Sequence, residues 1–163
     1  MPSNRVSKEL NNEMYFLTLT VRNFYYLFDK HNRWSILAEC LKFLMKNKSF
    51  KLYSFVFMIN HIHLICSSND VAGSIRDFKS YTSHKLIKNI EISEPSILQN
   101  FKYKNQYNIW IKTNMPKLIE SEKYFLQKQN YIHENPVRKQ YVNEIYDWYW
   151  SSANDHCELR INS

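Results

Sequence analysis

Hydrophobic and polar residues alternate through residues 14–22, where Leu17, Leu19 and Val21 take every second place. A repeat of two puts these side chains on one face of an extended chain, which predicts a half-buried β-strand. In residues 33–46 the apolar positions instead recur every three or four residues. That spacing lines one side of a helix, so this segment predicts an amphipathic α-helix.

Two β-rich apolar runs come next, in residues 51–58 and 61–66. Only Ile59 and Asn60 separate them, so together they predict a β-hairpin. Residues 71–90 return to helical spacing and predict a second helix. Its buried stripe should consist of Ile75, Phe78, Thr82 and Leu86.

The last third of the chain predicts one more strand and one more helix. Residues 108–112 form a short β-rich segment and predict the strand. Residues 117 to about 135 carry apolar residues at helical spacing and predict the helix. Pro136 should end this helix, because a residue that precedes proline is pushed away from helical backbone angles.

The predicted elements therefore follow the order β-α-β-β-α-β-α. Up to the last strand this is the βαββαβ arrangement of ferredoxin-like folds. We expect an α+β protein with an antiparallel sheet, helices mainly on one face of it, and an additional C-terminal helix. The chain has one glycine and four prolines, and no linker divides it. We expect one domain over residues 1–163, with residues 1–13 and 154–163 as flexible or peripheral ends.

The composition suits a folded protein with a polyanionic partner. Of 163 residues, 44% are hydrophobic and 16% aromatic, which is typical of a globular protein. The formal net charge of +7 indicates either an ordinary solvated surface or, if the lysines cluster, a nucleic-acid partner. The three cysteines are widely spaced, which indicates buried or free thiols in a reducing compartment. No apolar run reaches the length of a membrane span, so we expect a cytoplasmic protein without a membrane partner.

His61 and His63 are separated by one apolar residue within a predicted strand. Alternate residues of a strand share a face, so both imidazoles should point the same way. Two imidazoles on one face can ligate a divalent metal ion. The alternative is a pair of surface histidines with no ligand.

Tyr131 and Asn135 lie four residues apart in the last predicted helix. That spacing places them on one helical face, where the amide oxygen of Asn135 could complete a coordination begun by the histidines. A tyrosine hydroxyl is a poor nucleophile unless a metal ion polarises the phosphate that it attacks. Tyr81, on a basic helix, is the competing candidate, but Lys85 stands four residues after it.

Basic and aromatic residues are interleaved in residues 99–117, which contain no acidic residue. Cations for phosphates and aromatic faces for bases are typical of a groove for single-stranded DNA. The alternative is a strand and loop with core aromatics, among which Trp110 is the first candidate. The predicted DNA contacts in and around this stretch are Lys79, Lys102, Tyr103, Lys104, Tyr107, Lys112, Arg138 and Lys139.

Taken together, these motifs resemble the single-tyrosine HUH transposases, in which U is a bulky apolar residue. The resemblance extends from about residue 15 to residue 153 and is closest to the REP-associated tyrosine transposases. Two departures stand out: Ile59 replaces a usual proline, and residues 139–142 differ from the usual Ala-Gly-Leu-Val. The resemblance rests on the segments FMINHIHL (57–64), IRDFK (75–79) with Thr82 and Ser83, YIHENPVR (131–138) and DWYWSSA (147–153).

The resemblance implies an enzyme that cuts single-stranded DNA beside a hairpin. Tyr131 would become linked to a 5′-phosphate and leave a free 3′-hydroxyl. His61 and His63 would be metal ligands, Asn135 would take the place of the polar third ligand, and the ion would be Mg²⁺ or Mn²⁺. The expected partner is single-stranded DNA with hairpins, bound by a monomer or a homodimer.

Two other functions remain open at this stage. The chain could be a domesticated, non-catalytic nucleic-acid-binding module on the same fold. It could also be a replication initiator or relaxase of the wider HUH group, although its short length fits that less well.

Overall fold

The computed structural model describes residues 13–162. A four-stranded antiparallel sheet is the centre of the fold, and its strands follow the order β2-β3-β1-β6. The main elements are β1 (Tyr15–Thr20), α1 (Arg33–Asn47), β2 (Lys51–Phe57), β3 (His61–Ser67), α2 (Val71–Ser93), β4 (Lys102–Tyr103), β5 (Gln106–Tyr107), β6 (Lys117–Leu118) and α3 (Glu122–Arg138). Short 3₁₀ turns occupy Arg22–Phe24, Pro95–Phe101 and Ile145–Asp147.

The strand order confirms the predicted α+β, ferredoxin-like βαββαβ arrangement. In the centre of the sheet, β1 pairs with β3 from Tyr15 opposite Cys66 to Thr20 opposite His61. This register places the last residues of β1 beside the first residues of β3. Residues 1–12, predicted to be peripheral, lie outside the described part of the chain.

The two faces of the sheet bury two separate hydrophobic cores. The larger core lies under α1 and α2 and takes Leu17, Leu19 and Leu64 from the central strands. The smaller core lies under α3 and includes Phe16 and Ile132. Helices therefore cover mainly one face, as predicted, and the C-terminal helix covers the other.

The prediction of a strand in residues 108–112 is wrong. Within that segment only Trp110 forms a β-bridge, to Val21 just beyond the end of β1. The segment runs beside the end of the sheet, with the Arg22 amide donating to the Ile109 carbonyl at 2.7 Å. The sheet's fourth strand is instead β6, whose two residues pair with Tyr15 and Phe16.

The predicted bounds of the last helix are also wrong at both ends. Lys117 belongs to β6, and α3 begins only after Ser121, whose hydroxyl accepts a hydrogen bond from the Tyr124 amide. At the other end, Pro136 lies inside α3, which continues to Arg138. A proline so near the helix end removes one hydrogen bond from the last turns, and the Lys139 amide still bonds the Asn135 carbonyl at 3.1 Å.

The C-terminal residues pack onto the edge of β2. The Trp148 indole donates to the Phe57 carbonyl at 2.9 Å. Residues 154–162, expected to be peripheral, bury Cys157 and Leu159 in the larger core. All three cysteines are buried and free, as predicted. No helix within residues 13–162 is long and apolar enough to cross a membrane.

Candidate active site

The two histidines of β3 point toward α3, away from the larger core. Ile62 and Leu64, which alternate with them, are buried on the α1–α2 side. The rings of His61 and His63 lie side by side, with centroids 4.9 Å apart. The predicted shared face of the two imidazoles is therefore present.

Each imidazole is oriented by a hydrogen bond to its Nδ1 atom. The Nδ1 atom of His61 lies 2.7 Å from the Asn60 amide oxygen, which can only accept, so Nδ1 carries the proton. The Nδ1 atom of His63 lies 3.0 Å from the Thr18 hydroxyl on β1. The lone pair of the His61 ring is therefore on Nε2, and the Thr18 hydroxyl, which can accept as well as donate, is compatible with the same tautomer of His63. Such outer hydrogen bonds are what orient histidines that ligate metal ions.

Burial keeps both imidazoles neutral near physiological pH. Loss of solvent, reinforced by the charge of Lys139, lowers the pKa of His61 to about 4. The same burial, together with His61 and the cations Arg138 and Lys128, lowers the pKa of His63 to about 3. A neutral imidazole is the form that can bind a metal ion.

Tyr131 lies directly against this pair. Its ring meets the His63 ring edge to face, with centroids 5.3 Å apart, and meets Phe16 at 5.9 Å. The side chain is 41% exposed, so the ring is held by aromatic contacts while solvent reaches the residue. The structure thus brings Tyr131 and the histidines together. Tyr81 instead lines a cavity between α1 and α2 with Cys40 and Phe43.

Asn135 is one helical turn beyond Tyr131 and is only 4% exposed. Because α3 remains helical through Pro136, the two residues keep the same helical face. Within residues 13–162 no hydrogen bond occupies the Asn135 side chain, which leaves its amide oxygen available as a ligand.

Two cations flank the Tyr131 ring. The guanidinium carbon of Arg138 lies 4.3 Å from the ring centroid, and the Lys128 ammonium lies 5.4 Å from it. Arg138 is fixed there by a 2.8 Å hydrogen bond to the Tyr131 carbonyl and a 3.5 Å contact with Glu134. Positive charge beside a hydroxyl suits a phosphate bound at that point.

The donor set fits a hard or borderline divalent ion completed by water. Among residues 13–162 no group of three histidine, cysteine, aspartate or glutamate side chains converges on one point. Zinc sites with three or four such ligands are therefore a poor match. Two neutral imidazoles and one amide oxygen suit Mn²⁺, or Mg²⁺ that keeps several waters.

A basic groove of about 790 Å³ lies between α2 and the β4–β5 hairpin. The Lys79 ammonium crosses it to bond the Ile111 carbonyl at 2.7 Å. The guanidinium of Arg22 lies 4.5 Å above the ring of Tyr103. Five predicted DNA contacts line this groove: Lys79, Tyr103, Lys104, Tyr107 and Lys112. Arg22 and His84 join them.

The remaining predicted contacts are divided between other places. Lys102 is exposed on β4 but is not among the residues that line the groove. Arg138 and Lys139 lie at the end of α3, beside Tyr131 and His61 respectively. Phe101 and Trp110 are buried in the larger core. For these two residues the alternative interpretation of residues 99–117, a strand and loop with core aromatics, is correct.

Besides His84, four residues of this region were not predicted from the sequence. Lys128 could have been found, because it precedes Tyr131 by three residues and therefore shares its helical face. Asn60 adjoins His61, but its hydrogen bond depends on the turn geometry. Thr18 and Arg22 reach the site only through the pairing of β1 with other segments, which no local pattern encodes.

Comparison with known proteins gives one family and a shared fold. The family model described as "Transposase IS200 like" matches residues 10–135. This span contains β1, both histidines, Tyr131 and Asn135. No curated protein matches the chain.

Two solved structures resemble the fold over most of the chain. A REP-associated tyrosine transposase bound to a REP hairpin superposes with a TM-score of 0.71 at 20% identity, covering 93% of this chain and 82% of that one. A transposase-like protein from Deinococcus radiodurans gives a TM-score of 0.50 at 15% identity, covering 82% of this chain and 97% of that one. At these identities the similarity establishes the architecture.

Proposed function

Since the chain belongs to the IS200-like transposase family, we propose that it cuts and rejoins single-stranded DNA beside hairpins through Tyr131. The family makes it a DNA-cleaving and strand-transferring protein in general terms. The observation that carries the specific proposal is the contact between the Tyr131 ring and His63, with centroids 5.3 Å apart. In that contact a partly exposed tyrosine of α3 lies beside two neutral imidazoles.

In the proposed cleavage, the Tyr131 oxygen attacks the phosphorus of a DNA phosphodiester. The new tyrosine O–P bond forms as the bond from phosphorus to the 3′-oxygen breaks. The phenolic proton passes to solvent, and the departing 3′-oxygen takes up a proton to become a 3′-hydroxyl. Because the phosphotyrosine keeps the energy of the broken ester, a 3′-hydroxyl can attack it in reverse and rejoin a strand without ATP.

His61, His63 and Asn135 would hold the divalent ion. When bound, Mg²⁺ or Mn²⁺ polarises the phosphate and reduces the cost of charge on the leaving oxygen. The Nδ1 atoms are engaged with Asn60 and Thr18, so the Nε2 atoms of the two neighbouring rings would be the ones that bind the ion. The amide of Asn135 lies one helical turn beyond Tyr131. An ion bound by Asn135 would therefore be held at a fixed position relative to the nucleophile.

Lys128 and Arg138 would position the phosphate that Tyr131 attacks. Both cations lie within 5.4 Å of the Tyr131 ring centroid. Because these two cations are in position before the reaction begins, they can stabilise the transition state without rearrangement of the protein. The role of these two residues is therefore to offset negative charge on the phosphate while the metal ligands act from the sheet side.

The basic groove would hold the strand that leads to the site. Lys104 and Lys112 supply cations for phosphates, and Tyr103 and Tyr107, which are 46% and 41% exposed, supply faces for bases. Hairpin binding is inferred for this chain from the solved transposase of the same fold, which is bound to a REP hairpin.

An adduct assay tests the proposal. The protein is incubated with hairpin-flanked single strands and Mg²⁺ or Mn²⁺, then denatured and separated by electrophoresis. We expect a protein–DNA adduct that resists denaturant, that requires the divalent ion, and that is absent with duplex DNA. Tight binding without an adduct under any of these conditions would favour the non-catalytic, domesticated module instead.

A further inference from the structure

Two large aromatic side chains are exposed to solvent beside the turn of Ile59 and Asn60, which precedes His61. Phe24 is 66% exposed and Tyr26 is 65% exposed. Both belong to the segment that follows β1, which we call the aromatic loop, residues 22–26. Neither residue has a part in the groove or in the metal site described above.

The backbone of the aromatic loop is held in an uncommon conformation. Asn23 and Phe24 have φ angles of 60° and 54°, in the left-handed region that side chains other than glycine rarely adopt. The Phe24 amide bonds the Val21 carbonyl at 2.9 Å. The Asn60 amide group donates to the Phe24 carbonyl at 3.1 Å. Strained backbone of this kind persists where surrounding contacts enforce it, and it is common at functional sites.

Asn60 joins the aromatic loop to the candidate metal site. Its amide nitrogen bonds Phe24, and its amide oxygen accepts from Nδ1 of His61 at 2.7 Å. The position of Phe24 is therefore set by the same side chain that orients a proposed metal ligand.

Tyr26 is braced from the other side, by the chain that leaves α3. It lies near Tyr141, whose pKa is raised by burial and by Tyr26. Tyr141 stacks on Trp148 with ring centroids 5.5 Å apart, and its amide bonds the Pro136 carbonyl in α3 at 3.0 Å. An exposed aromatic ring held next to the chain that leaves α3 can serve as a stacking surface for a base.

The aromatic loop also lies between the two proposed DNA surfaces. At one end, Arg22 lines the basic groove and covers Tyr103. At the other end, Asn60 contacts His61, beside which lies Lys139. A strand that runs from the groove to Tyr131 has cations at both ends of its path and exposed rings between them.

We propose that Phe24 and Tyr26 form a base-stacking platform that holds unpaired nucleotides of the DNA strand beside the histidine pair. The inference rests on the proposed function, because it assigns the strand's path to the same site. Stacking on an aromatic ring accepts any base, so the platform would position the strand without reading its sequence.

The test measures binding of hairpin-flanked single strands to full-length protein that carries Tyr131→Phe, so that no strand is cut. We expect Phe24→Ala and Tyr26→Ala each to weaken binding by between about 5-fold and 150-fold, the effect of unstacking one base. Because stacking releases no counterions, the dependence of affinity on salt should stay unchanged. Phe24→Trp and Tyr26→Phe keep a ring and should retain the parent affinity.

Two matched controls make the result specific. Phe43 is 57% exposed on α1 and lies against Cys40 and Tyr81, away from the histidines, so Phe43→Ala should bind like the parent. On the DNA side, unpaired nucleotides are replaced one at a time by abasic sites, which keep the phosphate and remove the base. At one or two positions the abasic site should weaken DNA binding by the parent. The same abasic site should leave DNA binding by the Phe24→Ala variant unchanged.

Two results would overturn the platform. One is that Phe24→Ala and Tyr26→Ala bind intact strands as tightly as the parent, and the other is that both variants are weakened equally on intact and fully abasic strands. If either occurs while the unmodified protein still forms an adduct, the platform fails and the proposed function stands. If the Tyr131→Phe protein binds no single strand and the unmodified protein forms no adduct, both fail. Melting curves confirm that each variant is folded.

Discussion

The ring of Tyr131 on α3 meets the edge of the His63 ring on β3, with centroids 5.3 Å apart. The contact joins Tyr131 to the smaller core, because Phe16 of that core stacks on the same imidazole with ring centroids 5.3 Å apart. Sheet and helix are thus locked together where the nucleophile and the metal ligands would have to meet.

Removing the Tyr131 hydroxyl should separate catalysis from binding. We expect Tyr131→Phe to abolish the adduct, because no other oxygen replaces the phenol beside His63. The ring contacts remain, so the free energy of unfolding should change by less than about 0.5 kcal/mol, as for other exposed substitutions. DNA affinity should be retained, as measured by fluorescence anisotropy.

Tyr81→Phe is the matched control for this experiment. Tyr81 is 45% exposed, close to the 41% of Tyr131, and it also lies on a helix with a nearby lysine. Its variant should form as much adduct as the parent. An adduct made by the Tyr131→Phe protein would contradict the assignment of the nucleophile.

The Thr18 hydroxyl should affect metal affinity through His63. Thr18→Val keeps the shape of the side chain and removes the 3.0 Å partner of Nδ1. Removal of such an outer hydrogen bond typically weakens metal binding by ~10–100-fold. Titration with Mn²⁺, followed by electron paramagnetic resonance, measures the change. Thr20→Val, two residues along β1, is the control, and equal affinities in all three proteins would show that Thr18 does not orient a ligand.

The groove lysines should account for part of the salt dependence of DNA binding. We expect Lys104→Ala with Lys112→Ala to flatten the plot of log affinity against log salt by ~0.7 for each phosphate that is no longer neutralised. Lys46→Ala with Lys51→Ala removes the same charge from exposed positions outside the groove and should leave the slope unchanged. If both double variants flatten the slope equally, the effect comes from the net charge of the protein and not from DNA bound in the groove.

The buried histidines should make the metal-free protein less stable in mild acid. Their folded pKa values, about 4 for His61 and about 3 for His63, lie below the ordinary 6.5. Between these values the unfolded chain binds more protons than the folded one, so the free energy of unfolding falls as pH drops below about 6.5. Urea denaturation at pH 7, 6 and 5 in the presence of a chelator measures this fall.

A protein with His61→Gln and His63→Gln provides the comparison for the pH series. It should lose less stability between pH 7 and pH 5 than the parent, because two of the groups that take up protons on unfolding are gone. His133, whose pKa burial also lowers, remains in both proteins and cancels. An equal fall in the free energy of unfolding with pH in the two proteins would contradict the lowered pKa values of His61 and His63.

Strongly periodic segments of the sequence predict their elements well. The alternation around Leu17, Leu19 and Val21 gives β1, and the stripe from Ile75 to Leu86 is buried as expected. The family resemblance, drawn from motifs spread along the chain, is confirmed by the family model that matches residues 10–135. In these segments the local pattern and the tertiary packing favour the same structure.

The errors arise where local and tertiary preferences differ. The pattern of residues 108–112 resembles a strand, and the segment does pair with the end of β1, but only through the single bridge between Val21 and Trp110. The Ile111 carbonyl accepts from the Lys79 ammonium, and no longer ladder forms. The edge of the sheet is completed by the two residues of β6, too short a segment for any periodicity. Pro136 is tolerated in α3 because it lies in the last turn, where it removes a single hydrogen bond, and the rule that a helix ends before proline therefore fails here.

The residues of the site also divide into those that can be recognised from the sequence and those that depend on the tertiary fold. His61, His63, Tyr131 and Asn135 are recognisable from spacing and resemblance. Thr18 and Arg22 are not, because strand register and the path of residues 108–112 bring them there. Their contributions could be inferred only after the fold was known.

The polarity of the covalent adduct tests the central claim most directly. Hairpin-flanked single strands labelled at either the 5′ or the 3′ end are incubated with the protein and Mn²⁺, and the adduct is digested for peptide mass spectrometry. We predict that the 3′-end label stays with the protein, that the 5′-end label leaves on a fragment with a free 3′-hydroxyl, and that the modified peptide contains Tyr131. Retention of the 5′-end label, or attachment to any residue other than Tyr131, would contradict the account.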